Sequence, residues 1–158
     1  ESMQDIVWAM KTKNDRLEDL GARMTEFGLR LLEARGIAFK TRMDTQFSSA
    51  HLSPELRRNV WLIFKEAVNN AAKYAEASEV ELSLQLRRGW LFMRLGDNGK
   101  GFSMNGADGG SGSPSGVGGG GGGNGLQNMR QRAGEIGGRL EVFSEVGKGT
   151  KVELKVKV

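Results

Sequence analysis

The sequence contains no cysteine and a single histidine, His51, and these two shortages exclude several kinds of site. Without cysteine there can be no disulfide, no thiolate zinc site and no cysteine nucleophile. One histidine cannot build a metal cluster by itself. The lack of cysteine also fits a reducing compartment. These exclusions direct attention to the carboxylates, amides and glycine turns of the chain.

Long hydrophobic runs and a block of like charge are also missing. No run approaches the roughly 18 apolar residues that a membrane span requires, and residues 1–6 carry no signal-peptide pattern. The formal net charge is +4, but basic and acidic residues are interleaved along most of the chain. This is typical of a solvated surface, so we expect no nucleic-acid partner. Because the first residue is not methionine, we expect a piece of a longer protein.

Glycine is abundant instead. The 158 residues include 24 glycines, many of them between Gly109 and Gly123. Compact glycine turns at 97–102 and 123–126 border this insert. A segment with so few side chains cannot bury apolar surface, and we expect it to be mobile. It is either a phosphate-binding lid or a linker. The whole chain has 38% apolar and 27% charged residues, which suits one globular domain with an extra element.

Apolar residues at helical spacing predict helix over residues 3–35, interrupted at 11–15. Asn14 or Asp15 is the expected N-cap of the second part, and Gly36 its stop. Such a helix either packs on its own domain or belongs to a neighbouring helical bundle.

The clearest helix of the chain follows a loop. It begins at Pro54 with Ser53 as its cap, and one apolar stripe continues to about Glu76. A further helix is predicted from Leu126 to Ile136. Alternating apolar and polar residues predict the strands, which are 37–43, 80–86, 90–95, 140–144 and 150–158. Hairpins dominate this order, so we predict a two-layer α/β sandwich with a mixed, mainly antiparallel sheet and helices on one face.

Three groups of residues could carry chemistry, and each has a plain structural alternative. Glu66, Asn70 and Lys73 share one helical ridge, where they could hold Mg²⁺ and phosphates or simply form a solvated face. Asp97 ends a strand before a glycine turn and could accept a hydrogen bond from an exocyclic amine, although Asp-Asn-Gly is also ordinary turn chemistry. Gly125 precedes a helix whose first N–H groups could bind phosphate. The plain alternative is that Gly125 only gives the helix a flexible start.

Together these motifs resemble a known family, the ATP-binding catalytic domain of sensor histidine kinases, which shares its fold with gyrase, the Hsp90 chaperones and MutL. The stretch 65–74 (KEAVNNAAKY) is similar to the N box, 97–102 (DNGKGF) to the G1 box and 123–126 (GNGL) to the G2 box. Residues 126–150 resemble the branch with nitrate-sensor-like and LytS-like kinases. The resemblance covers residues 50 to 158 and implies a Bergerat fold with an ATP lid at about 103–124.

The resemblance also implies roles for single residues. Asn70 would coordinate Mg²⁺, and Glu66 would act beside it as a catalytic residue that polarises the acceptor or a water. Asp97 would bind the adenine amino group, supported by Thr150. The implied nucleotide-binding residues are Asn70, Lys73, Tyr74, Asp97, Gly99, Gly101, Gly123, Gly125, Leu126 and Thr150.

For the N-terminal part, the resemblance implies that residues 1–35 are the end of a dimerisation bundle plus a linker helix, and that 36–158 are the catalytic domain. The acceptor histidine would lie upstream, and His51 is expected in a loop or capping role. The implied partners are that histidine-bearing segment, a response-regulator receiver domain and a second copy in a homodimer. The implied location is the cytoplasmic part of a bacterial membrane-bound sensor.

Two rival interpretations stay open. One is an ATPase of the same fold that works as a clamp or chaperone, since such proteins carry a catalytic glutamate on the same helix and Glu66 does not separate the two. The other is a degenerate domain used only as a protein-binding scaffold.

Overall fold

The computed structural model describes residues 2–11, 15–44, 50–103 and 125–158. The expected lid therefore lies outside the described residues except for Ser103, and Gly123 lies outside them as well. The helices are α1 (Met3–Met10), α2 (Leu17–Glu33), α3 (Pro54–Tyr74) and α4 (Gly125–Glu135). The strands are β1 (Ala38–Met43), β2 (Glu79–Arg87), β3 (Trp90–Asp97), β4 (Arg139–Glu145) and β5 (Gly149–Lys157).

The strands form one sheet in the order β1-β2-β3-β5-β4. Strand β1 is parallel to β2, and α3 makes the crossover between them, while the remaining neighbours are antiparallel. Alternate residues of β2, β3 and β5 are buried, because the helices cover one face of the sheet. The predicted α/β sandwich with a mixed, mainly antiparallel sheet is confirmed.

The strand register aligns the buried side chains in rows across the sheet. One such row is apolar and contains Leu82, Leu95, Val152 and Val142. In the next row towards the end of β3, which faces the same side, Val80 on β2 is apolar, but Asp97 lies opposite Thr150 and Thr150 lies opposite Ser144. These last three side chains form a polar row at the margin of the hydrophobic core, beneath the helices.

Helix α3 forms the centre of the helical layer. Ser53 caps it by accepting a hydrogen bond from the N–H of Leu56 at 3.2 Å, and Pro54 occupies the first turn, as predicted. The buried surface of α3 is wider than the single apolar stripe expected from the sequence, because Arg57 and Trp61 are also buried. They lie under α1 and α2, so α3 is covered by the sheet on one side and by helices on another.

Helix α2 begins later than predicted. Its N-cap is Arg16, which makes no side-chain capping bond, so Asp15 does not take that position, and Asn14 lies outside the described residues. Asp15 is used elsewhere, because its carbonyl accepts a hydrogen bond from Leu52 and its carboxylate lies 3.2 Å from Nδ1 of His51. The competing loop contact explains why the local capping rule fails here. The α2 residues Leu17, Leu20, Met24 and Leu32 join the main hydrophobic core.

Helix α1 is attached to α3 through buried charge. Asp5 is only 3% exposed, and its carboxylate accepts hydrogen bonds from Arg23 Nη2 at 2.8 Å, Trp61 Nε1 at 2.9 Å and Lys65 Nζ at 2.8 Å. Burial raises the pKa of Asp5, but the hydrogen bonds from Lys65, Trp61 and Ser2 outweigh it and hold the pKa well below the usual range. The guanidinium of Arg23 lies between the rings of Trp8 and Trp61.

The opposite face of α1 is apolar and exposed. Met3, Ile6, Val7 and Met10 lie at helical spacing, and 41% to 78% of each side chain is accessible to solvent. The charged residue of this helix thus points into the domain, and its apolar residues point outwards. None of the described helices combines the length and apolarity needed to cross a membrane.

Candidate functional site

The sequence motifs meet along the edge where the polar row of the sheet lies under α3 and α4. Glu66 and Asn70 approach this region from α3, and Gly125 approaches it as the first residue of α4. Asp97 reaches it from the end of β3. The folded chain therefore brings together residues that are up to 59 positions apart in the sequence.

The first half of the site is the contact between α3 and the start of α4. A methyl group on Gly125 would lie 3.3 Å from Glu66 Cδ, still closer to Glu66 Oε1, and 3.4 Å from Asn70 Nδ2. Only glycine lets the α4 backbone approach both side chains so closely. Among the described residues, no hydrogen bond or ion pair engages the side chain of Glu66 or of Asn70. The half-buried carboxylate of Glu66 and amide of Asn70 therefore both lie beside the beginning of α4.

The second half of the site is a turn held between α3 and the β4–β5 hairpin. A methyl group on Gly99 would overlap the carbonyl group of Ala75, and one on Gly101 would overlap the carbonyl of Glu145. Gly149 closes the turn from the hairpin side, since a methyl group there would overlap the carbonyl of Asp97. Backbone hydrogen bonds from Lys100 to Ala75 at 2.7 Å and from Gly147 to Lys100 at 2.6 Å complete the contact.

This packing predicts different costs for two glycines with the same backbone geometry. Gly147 and Gly149 both have φ of +81°, but a methyl group on Gly147 meets nothing within 4 Å. We expect Gly147→Ala to cost about 1–2 kcal/mol of unfolding free energy from backbone strain alone. Gly149→Ala is expected to cost about 1–3 kcal/mol more, because its methyl group displaces the backbone of Asp97. Urea denaturation of both variants measures the difference, and equal losses would contradict the proposed packing.

Asp97 is half-buried at the end of β3. Its Oδ1 accepts a hydrogen bond from the N–H of Gly99 at 2.9 Å. Burial raises the pKa of Asp97 above its usual value, and the backbone N–H groups of Gly99 and Thr150 oppose that shift. A desolvated carboxylate with remaining acceptor capacity suits a ligand that carries N–H donors.

Two residues of this half were not assigned a role from the sequence. Ser144 Oγ lies 2.8 Å from Thr150 Oγ1 and accepts a hydrogen bond from the N–H of Phe102 at 2.8 Å. Asn98 Oδ1 accepts from the N–H groups of Ser78 and Glu79, each at 3.0 Å. The alternation of β4 could have placed Ser144 on the buried face, two residues after Val142. For Asn98, we find no sequence signal beyond turn chemistry.

The remaining candidates lie at the margins of these two halves. Lys73 is exposed and Tyr74 half-buried in the last turn of α3, and Leu126 is half-buried behind Gly125. No described contact joins them to the carboxylates of the site. His51 lies in the loop before α3, where it forms an isolated bridge with Arg16. Among the described residues, no group of three histidine, aspartate or glutamate side chains could hold a metal ion.

Comparison with known proteins agrees with this geometry. Residues 56–158 match the family described as histidine kinase-, DNA gyrase B-, and HSP90-like ATPase. The match covers more than half of the chain, so the chain belongs to this ATPase family, and ATP binding follows from that membership.

The relatives narrow the class further. The sensor histidine kinase LiaS of Bacillus subtilis is 35% identical over 107 residues, which are 68% of this chain and 26% of that protein. The oxygen sensor histidine kinase NreB of Staphylococcus carnosus is 32% identical over 114 residues, 72% of this chain and 30% of that protein. The resemblance to sensor histidine kinases is thus confirmed, although the chain spans less than a third of these relatives.

Solved structures also have a similar fold. The histidine kinase domain of a blue-light activated histidine kinase from Erythrobacter litoralis superposes with a TM-score of 0.67 at 21% identity. The superposition covers 87% of this chain and 60% of that one. At this level of identity the likeness concerns the fold alone.

Proposed function

We propose that the chain is the ATP-binding catalytic module of a two-component sensor histidine kinase. It would help to transfer the γ-phosphoryl group of MgATP to a histidine on an upstream segment, from which it passes to a response-regulator receiver domain. The observation that carries this proposal is the approach of the Gly125 backbone to Glu66 and Asn70, whose side chains make no hydrogen bond or ion pair within the part of the chain that the structure describes. Such an arrangement can position a triphosphate and neutralise its charge, which are the main contributions of a protein to phosphoryl transfer.

At the phosphate end, the donor set fits Mg²⁺, which binds one or two protein oxygens together with phosphate oxygens and water. Asn70 would hold the ion through its amide oxygen, and Glu66 would polarise the acceptor. When bound, the ion supplies positive charge beside the reacting phosphoryl group. Gly125 and Leu126, with Gly123 before them, would donate backbone N–H groups to the phosphates. Lys73 would add a cation.

At the base end, Asp97 would accept a hydrogen bond from the adenine amino group. Gly99 and Gly101 would form the wall beside it, since neither position tolerates a side chain. Thr150 would support the carboxylate from the neighbouring strand, and Tyr74 would lie along the nucleotide.

For the intact protein, we propose that residues 1–35 are the end of a dimerisation bundle plus a linker helix, followed by the catalytic domain at 36–158. The exposed apolar stripe of α1 supports this, because such a stripe favours burial against another helix. A homodimer, and attachment to a membrane-bound sensor on its cytoplasmic side, belong to the same proposal.

Calorimetry with ATP and Mg²⁺, followed by phosphate labelling, tests the proposal. We expect MgATP to bind and the isolated chain not to label itself. Adding a histidine-bearing bundle segment from the parent protein should give labelled histidine. Absence of nucleotide binding would favour a scaffold, and steady phosphate release without labelling would favour a clamp or chaperone ATPase. Stoichiometric labelling of His51 would overturn the assignment of the acceptor.

The contact at Gly125 gives a further prediction with a matched control on the same helix. Gly125→Ala is expected to displace Glu66 and Asn70 and to weaken MgATP binding by about tenfold, roughly 1.4 kcal/mol. Gly134→Ala introduces a methyl group with nothing within 4 Å, so it should leave binding unchanged and stabilise α4 by about 0.5–1 kcal/mol. Calorimetry and thermal denaturation measure the two effects. Unchanged MgATP affinity in Gly125→Ala would remove this contact from the site.

A further inference from the structure

We propose that Ser144 is a positioning residue for the base end of the site, because its hydroxyl group sets the direction in which Thr150 presents its own proton. This inference rests on the proposed function. It concerns how adenine is selected, and it assigns a role to a side chain that is not among the nucleotide-binding residues implied by the family resemblance.

The geometry places the two hydroxyl groups in one row with Asp97. Ser144 on β4 lies opposite Thr150 on β5, and Thr150 lies opposite Asp97 on β3. The distance from Ser144 Oγ to Thr150 Oγ1 is 2.8 Å, which is the usual length of an O–H···O hydrogen bond. The N–H of Phe102 also donates to Ser144 Oγ at 2.8 Å. Ser144 therefore links the turn after Asp97 to the residue beside Asp97.

Counting protons limits the possible arrangements to two. A serine hydroxyl has one proton and two lone pairs, and the N–H of Phe102 occupies one of the lone pairs. In the first arrangement Ser144 donates to Thr150 Oγ1, and the proton of Thr150 is free to point into the site. In the second, Thr150 donates to Ser144, which then donates to the carbonyl of Gly149.

The distances favour the first arrangement. The contact from Ser144 Oγ to the Gly149 carbonyl is 3.3 Å, longer than the 2.5–3.0 Å typical of O–H···O bonds. The Ser144 proton therefore makes its better bond to Thr150. Because Ser144 is then the donor, the Thr150 hydroxyl does not donate to Ser144. It can instead donate to the Asp97 carboxylate or to a water between that carboxylate and the base. Its proton then stabilises the ionised carboxylate that must accept the adenine amino group.

The test compares ATP with inosine triphosphate, which replaces the exocyclic amine by a carbonyl oxygen. We expect the wild-type chain to prefer ATP, and Ser144→Ala to reduce that preference about tenfold while affinity for inorganic tripolyphosphate stays within about twofold. Ser144→Thr should restore the preference, because it keeps the hydroxyl. If Ser144→Ala folds poorly, Ser144→Cys takes its place in the test. The thiol keeps about the size of the hydroxyl but donates weakly, so Ser144→Cys should also reduce the preference for ATP.

A double-mutant cycle shows whether Ser144 acts through Thr150. In a Thr150→Val background, Ser144→Ala should change the ATP preference by less than about twofold. Equal losses for ATP, inosine triphosphate and tripolyphosphate, or additive effects of the two substitutions, would overturn the role of Ser144 and leave only a structural contact. Failure of the proposed function gives a different result, since the wild-type chain would then bind none of the three ligands.

Discussion

Replacing Asp97 by asparagine is expected to lower the affinity for ATP by about 100-fold, the largest effect on binding that we predict. A hydrogen bond to an ionised carboxylate in a partly buried site contributes about 1.5–3 kcal/mol, and each 1.4 kcal/mol is tenfold in affinity. The asparagine amide also turns one acceptor into a donor, which faces the adenine amino group unfavourably. Calorimetric titration with MgATP measures the loss.

A carboxylate-to-amide change outside the site is the matched control. Glu153 lies on the same pair of strands, but on the open face, where it pairs with Arg94 at 3.3 Å. We expect Glu153→Gln to leave ATP affinity within about twofold, because an exposed ion pair contributes little. Inosine triphosphate should lose less affinity than ATP in Asp97→Asn, since the amide can donate to its carbonyl oxygen. Equal loss for both nucleotides would remove Asp97 from base recognition.

The raised pKa of Asp97 has two further consequences. The proposed contact with adenine requires the ionised carboxylate, so ATP affinity should fall as the pH decreases through the raised pKa of Asp97, starting above the ordinary value near 4. The same shift means that the folded protein binds this proton more tightly than the unfolded chain. The stability that Asp97 contributes is therefore present at low pH and lost as the pH rises through its folded pKa. Asp97→Asn should accordingly denature at the same temperature as wild type or higher at neutral pH.

The largest expected loss of stability comes from the opposite end of the domain. Asp5→Ala should cost about 3–5 kcal/mol of unfolding free energy, the usual result when one partner of a buried charge network is removed. The substitution leaves Lys65 and Arg23 close together without the carboxylate that neutralises them, and it leaves the indole N–H of Trp61 without its acceptor. Urea denaturation followed by tryptophan fluorescence measures the loss, because two of the three tryptophans flank this network.

An exposed acid on α2 provides the control. Glu26 pairs with Arg30 at 2.9 Å across one helical turn, and both side chains are more than 70% exposed. Glu26→Ala is expected to cost less than about 0.5 kcal/mol. If Asp5→Ala costs no more than this, then α1 is not held to the domain by its buried carboxylate.

The pH dependence of Asp5 has the opposite sign to that of Asp97. Its folded pKa lies below the unfolded value near 4, so the stability it contributes is fully present above that pH. This stability is lost as the pH falls through the depressed folded pKa. Acid titration should therefore detach α1 only at strongly acidic pH, and Asp5→Asn should remove this part of the acid transition.

The sequence alone determined the order and type of the elements and the location of the three motifs. Ser53 and Pro54 predict the start of α3, and the alternation of apolar and polar residues in β2 and β5 predicts a sheet with one buried face. These signals are local, because a cap, a helical stripe and a strand each depend on residues a few positions apart. The family was readable for the same reason, since each box is a short contiguous stretch.

Only the tertiary structure decided which groups face each other across long separations. The partners of Asp5 on α3 lie 56 and 60 residues away, and nothing in the local pattern of α1 shows that its single acid points inward. The N-cap of α2 was misplaced for a similar reason, because Asp15 bonds to a loop near His51 instead of capping its own helix.

The same distinction holds at the site. Sequence motifs named Glu66, Asn70, Asp97 and Gly125, but their mutual approach depends on how α3 and α4 pack. Ser144 lies beside Thr150 because of the register between β4 and β5. Register depends on two strands together and cannot be read from either one alone. The residues that carry the chemistry thus lie in short sequence motifs, while burial, hydrogen-bond direction and pKa are properties of the packed molecule.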